Sequence, residues 1–126
     1  MKYRIAASIL LCNMLLVMPV FAHPPKGIEL VFESNTKVLR VNISHFVDDP
    51  AKHYIEKVVV ELNGEEIITQ TFKMQTDKQT QEIMYVVVGA QEGDKIAVTA
   101  YCNISGKKKE TMDVILLEKP EVEEEQ

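Results

Sequence analysis

Tyr54-Ile55-Glu56-Lys57-Val58-Val59-Val60-Glu61-Leu62-Asn63-Gly64-Glu65-Glu66-Ile67-Ile68-Thr69-Gln70-Thr71-Phe72-Lys73 decides the fold class. Its first nine residues are rich in side chains branched at Cβ, which pack well on a pleated surface and favour extended backbone. They stop at Asn63-Gly64, the strongest short hairpin signal, because both central residues of a type I′ turn need positive φ. Glu65 to Lys73 must then be the returning strand. A hairpin at the centre of the chain points to antiparallel β structure.

Working outward, the same two-residue period recurs on both sides. Upstream, Leu39, Val41 and Ile43 alternate within Lys37 to Ser44, and Ile28, Leu30 and Phe32 alternate within residues 27–33; the turn cluster Ser34-Asn35-Thr36 separates the two strands. Downstream, polar residues Met74 to Gln79 lead into a strand over Thr80 to Val88, and Gly89 to Asp94 form a loop. Lys95 to Cys102 follows with Ile96, Val98, Ala100 and Cys102 on one face. After a turn at Asn103 to Lys107, Lys108 to Leu117 makes the seventh strand. Seven short strands, regular turns and no helical period predict an all-β, seven-stranded antiparallel immunoglobulin-like β-sandwich.

The chain has 126 residues, which suits one domain. Residues 1–22 read as a secretory signal peptide: Lys2 and Arg4 start it, Ile5 to Val20 is mostly apolar, and Val20-Phe21-Ala22 supplies the small-residue cleavage pattern. Removal makes His23 the first residue, leaves residues 23–117 as the domain, and implies a periplasmic or extracellular protein with no membrane span. Residues 118–126 form an acidic tail too poor in apolar side chains to pack, and disorder is expected there. The net charge is −5, and more negative once Lys2 and Arg4 are removed, which argues against nucleic acid or anionic membrane as a partner.

Successive strands of a sandwich run alternately up and down, so alternate connections lie at one end. His23 precedes the first strand, His45 and His53 bound the connection after the second, and Cys102 ends the sixth. Strand parity therefore draws all three histidines of the chain, and the one cysteine outside the leader, to a single rim. Imidazoles with one thiolate suit iron, zinc or copper better than magnesium or calcium. A bound metal would also hold Cys102 as thiolate, accounting for a thiol with no disulfide partner in an exported protein. An inert buried cysteine and surface histidines are the bland alternative. A copper site formed by the α-amine and imidazole of His23 is a further one.

His45, then His53-Tyr54-Ile55, the Asn63-Gly64 hairpin and Tyr101-Cys102-Asn103-Ile104-Ser105-Gly106 together resemble the iron-binding domain of the superoxide reductases, the desulfoferrodoxin family. The resemblance covers nearly all of the chain after the leader. It implies an immunoglobulin-like sandwich, a mononuclear non-haem iron held by four histidines and a cysteine, and one-electron reduction of superoxide to hydrogen peroxide, with an electron donor required. Residue by residue, His45 and His53 match the two central histidines, Cys102 the cysteine and His23 the first histidine. The chain departs from the pattern in four ways: Ser105 stands where the family has its late histidine, Phe46 follows His45 in place of proline, the segment from His45 to His53 is longer, and the lysine that precedes the first histidine in the family is missing, since cleavage would leave His23 at the terminus. A metal-binding or interaction module without catalysis is the reading that Ser105 favours.

Lys52 and the run Lys107 to Lys109 bring positive charge toward this rim in an acidic protein, and such charge steers superoxide or another small anion. Lysines on loops and edge strands are equally ordinary solubilising devices. Asp48 and Asp49 ahead of Pro50 read as turn formers.

Overall fold

A computed structural model describes residues 23–116, all of them in strands, turns and loops. The expected signal peptide over residues 1–22, with Cys12, and the expected disordered tail over residues 118–126 lie outside the described residues. The seven strands are β1 (Gly27–Glu33), β2 (Val38–Ser44), β3 (Ile55–Leu62), β4 (Glu65–Thr71), β5 (Thr80–Val86), β6 (Lys95–Cys102) and β7 (Lys107–Asp113). They form two antiparallel sheets, β1-β2-β5 and β4-β3-β6-β7. The expected all-β sandwich is therefore present. No helix among the described residues is long and apolar enough to cross a membrane.

The central hairpin forms as its turn chemistry requires, with φ of 52° at Asn63 and 83° at Gly64. Asn63 also ties the hairpin to the start of β6: its N–H donates to Lys95 O and its Oδ1 accepts from Lys95 N–H.

Alternation sets the core. Leu39, Val41 and Ile43 of β2 face Ile55, Val58 and Val60 of β3 and Ile96, Val98 and Ala100 of β6, all nearly inaccessible to water. Burying an aliphatic side chain of this size contributes roughly 1.5–3 kcal/mol. The exposed edges carry charge, with Glu65 and Glu66 on β4 and Lys107 to Lys109 on β7, which discourages pairing with other chains.

Two strands end before the sequence pattern does. The pairing of β7 stops at Asp113 because its partner β6 begins at Lys95, so Val114 to Leu116 run past the end of the ladder. Similarly β5 ends at Val86 opposite the start of β2. One rim then gathers the start of β1, the end of β2, the start of β3, the end of β4, the start of β5, the end of β6 and the start of β7.

Candidate metal centre

His45 continues the inward register of β2: after Leu39, Val41 and Ile43 the next inward position is 45, and its imidazole is fully buried. Its backbone stays attached to the sheet, with His45 N–H donating to Gln79 O and Val47 N–H to Lys78 O. Nδ1 lies 2.8 Å from Gln75 Oε1. Nε2 is buried and finds no hydrogen-bond partner among the described residues.

Cys102 is placed by the same logic on β6, after Ile96, Val98 and Ala100, and is buried at the end of the core. Its N–H donates to Gly106 O, closing the turn that leads into β7. A bulge in β3 between Ile55 and Lys57 bends that strand where it meets Cys102, and bulges commonly re-aim side chains beside functional sites.

His53 sits on the loop before that bulge. Asp49 organises the loop, as two acids before Pro50 suggest: its carbonyl accepts from Lys52 and His53 N–H, and its Oδ1 from Ala51 N–H. Asn103 then brackets the histidine. Its Oδ1 accepts from Tyr54 N–H at 2.9 Å, its Nδ2 donates to Lys52 O at 2.9 Å, and its own N–H donates to Tyr54 O. The residue after Cys102 thus holds both neighbours of His53, and His53 Nε2 comes within 3.1 Å of Cys102 Sγ.

His23 reaches the same place on the arm before β1. Its ring centroid is 5.9 Å from that of His45 and 5.7 Å from that of His53, while those of His45 and His53 are 4.7 Å apart. The arm is seated by Pro24, whose ring covers Gly106; Gly106 has φ of 87°, and a Cβ there would come within 2.8 Å of Pro24 Cβ.

One donor atom each from His45, His53 and Cys102 lie within 4.8 Å of one another, and this trio is a group able to hold a metal ion. The donor chemistry fits iron or zinc: a thiol and two imidazoles, one of which keeps a buried ring nitrogen with no hydrogen-bond partner among the described residues. His23 is adjacent to the trio and exposed. Ser105 is exposed in the turn after Cys102. An open pocket of about 390 Å³ adjoins the centre, lined by His23, Phe46, Val47, Asp48, His53, Lys78 and Gln79.

The imidazole of His53 is held below its ordinary pKa, first by burial and then by the neighbouring His45 and His23, with Asp48 opposing. Depression means that the unfolded chain takes up the proton first. Stability of the metal-free protein is therefore expected to fall as the pH drops below about 6.5, the ordinary imidazole value, and to level off below the folded-state value. Thermal melts at about pH 7.5 and about pH 5.5 should show the lower Tm in acid, and His53→Gln should flatten the difference. Metal binding weakens in the same direction, because protons compete for the ligands.

Of the lysines expected at the rim, Lys52 stays on the His53 loop, its carbonyl accepting from Asn103 Nδ2. Lys107 and Lys109 turn to the outer face of the four-stranded sheet, where Lys109 pairs with Glu61 at 2.7 Å and Lys107, with Lys57, sits over the Tyr101 ring. The lysine lining the pocket is instead Lys78, from the 72–79 connection. Neither Lys78 nor Gln75 carries a sequence signal, since both fall in a polar stretch that reads only as a turn. Parity of the connection after β4 would have placed that stretch at the rim.

The family model of desulfoferrodoxin matches residues 22–111, a span holding His23, His45, His53 and Cys102. No curated protein matches the chain.

Proposed function

The chain belongs to the desulfoferrodoxin family, and from that membership and the rim cluster we propose that it is an exported protein holding one non-haem iron ion through His45, His53 and Cys102, with His23 as a further ligand. The observation that carries this reading is the convergence of one donor atom from each of His45, His53 and Cys102 within 4.8 Å, beside a buried His45 Nε2 that has no hydrogen-bond partner among the described residues. Zinc or copper would be accepted by the same donors, and the family resemblance favours iron.

Bound iron supplies a one-electron couple. The finer reading is that the protein reduces superoxide: the anion takes up one electron and two protons to give hydrogen peroxide, and an external reductant returns the electron. This chain's own residues provide the setting. His45 and Cys102 are held rigidly by the ends of β2 and β6, and His53 by its Asp49 and Asn103 contacts. The pocket over His23 and His53 gives a small anion a route in, and Lys78 on its wall offsets the negative charge of Asp48.

Ser105 supports a second reading, a metal-binding module without turnover, because the position carries a hydroxyl where the resemblance implies an imidazole. Protein matured to His23 separates the two. Elemental analysis should find one iron per chain, and oxidation should bring up a thiolate-to-iron charge-transfer band. Superoxide consumption by the iron-loaded protein within about tenfold of a Ser105→His variant supports the enzyme, a gap of about 1.4 kcal/mol in the barrier. Consumption no faster than that of free iron leaves the binding module.

A further inference from the structure

The hydrogen bonds around Gln75 specify more than its own position. Its carboxamide is fully buried, with Nε2 2.7 Å from His45 O and 3.0 Å from Asp77 O. Both of these are carbonyl oxygens, which can only accept, so the two amide hydrogens are committed to them. The amide cannot be turned over without setting its oxygen against two other oxygens. Oε1 is thereby fixed toward His45 Nδ1 at 2.8 Å, and as an oxygen without hydrogens it can only accept. Nδ1 must therefore carry the proton.

In a neutral imidazole one nitrogen is a donor and the other an acceptor. With the proton on Nδ1, the lone pair is on Nε2, the buried nitrogen that no described residue satisfies. Free histidine prefers the opposite tautomer, with hydrogen on Nε2, which would block the one ring nitrogen left open to a metal ion. Gln75 is itself anchored, its N–H donating to Pro50 O on the His53 loop at 3.0 Å. One residue thus ties together the end of β2 and the 72–79 connection through its side chain, and the 48–54 loop through its backbone N–H.

We propose that Gln75 is a positioning residue that locks His45 in its Nδ1-protonated neutral tautomer and so keeps Nε2 available as a metal donor. The proposal rests on the metal-binding reading above for its purpose, while the tautomer can be measured without any metal.

Long-range proton–nitrogen correlation spectra of the metal-free, full-length mature protein are the direct test. Wild type should show His45 with a protonated Nδ1 and an unprotonated Nε2; an Nε2-protonated ring or a fast mixture of both overturns the proposal. Gln75→Met keeps length but removes the acceptor. It should shift His45 toward the Nε2-protonated form and weaken zinc binding about 10–100-fold, measured on protein shown to be folded by its amide spectrum. Gln75→Glu keeps an acceptor toward Nδ1 but faces the two carbonyls without donors. It should melt at least as low as Gln75→Met, yet bind zinc within about threefold of wild type, because acceptance from Nδ1 is retained. A purely structural glutamine would weaken zinc binding equally in both variants, and that result overturns the proposal. If Gln75→Met does not fold, the wild-type spectrum decides alone. A wild type with the expected tautomer that binds neither zinc nor iron overturns the metal reading and leaves the Gln75 assignment standing.

Discussion

Cys102→Ser is expected to weaken metal binding on the order of 100-fold or more while leaving a folded protein. Structural sites of imidazole and thiolate bind with about 10–16 kcal/mol in total, so one ligand of four represents about 3 kcal/mol, or on the order of 100-fold. The replacement is nearly isosteric, and its hydroxyl can still hydrogen-bond His53 Nε2, which now lies 3.1 Å from the sulfur. The metal-free melting temperature should therefore change by only a few degrees, about 4–8 °C for each kcal/mol in a domain of this size. Elemental analysis and the charge-transfer band check the first part, a melt the second. Unchanged metal content would mean that the thiol is a passive end to the β6 core.

Gly106→Ala should be the most damaging glycine-to-alanine change among the described residues. Gly106 has φ of 87°, and a Cβ would meet Pro24 Cβ at 2.8 Å, its Cα at 3.0 Å and its N at 3.1 Å. The left-handed backbone costs an alanine about 1–2 kcal/mol, and overpacking adds about 1–3 kcal/mol because two of the three nearest atoms are backbone and cannot swing away. Gly64→Ala is the built-in control: it has φ of 83° with nothing within 4 Å, so it bears only the backbone cost. The comparison isolates the Pro24 contact. That contact seats the His23 arm, so Gly106→Ala should also weaken metal binding, whereas Gly64→Ala should leave it at the wild-type level. Equal Tm losses in the two variants would show that the arm yields freely.

Much of the site can be read from strand parity alone. His45 and Cys102 each fall in phase with three inward aliphatic residues of their own strand, so alternation predicts both their burial and their shared end. The hairpin at Asn63-Gly64 fixes which way each strand runs, and the connections sort to the two rims accordingly. What alternation does not carry is pairing between residues of different loops. The Gln75 contact to His45 spans thirty positions and involves a glutamine in a stretch without periodicity. The Gly106 contact with Pro24 joins the first described residues to the last turn, and neither residue type announces the other. Strand ends were also less legible than strand cores, because a ladder stops where its partner stops: Val114 to Leu116 are apolar enough to extend β7, yet β6 has no residues left to pair with them. The direction of the lysines in β7 is hidden for a related reason. Lys107 and Lys109 share the outward phase of Tyr101 and Thr99, and only the register of β6 with β7 reveals that they lie on the outer face of the sheet.

The central claim is that His45, His53 and Cys102 hold one metal ion together. X-ray absorption at the metal K-edge of the loaded protein tests it most directly, since it counts the atoms bound to the ion. One sulfur neighbour alongside imidazole nitrogens is expected, with the sulfur shell lost in Cys102→Ser. A spectrum with only oxygen neighbours, or a sulfur shell that survives Cys102→Ser, would contradict it.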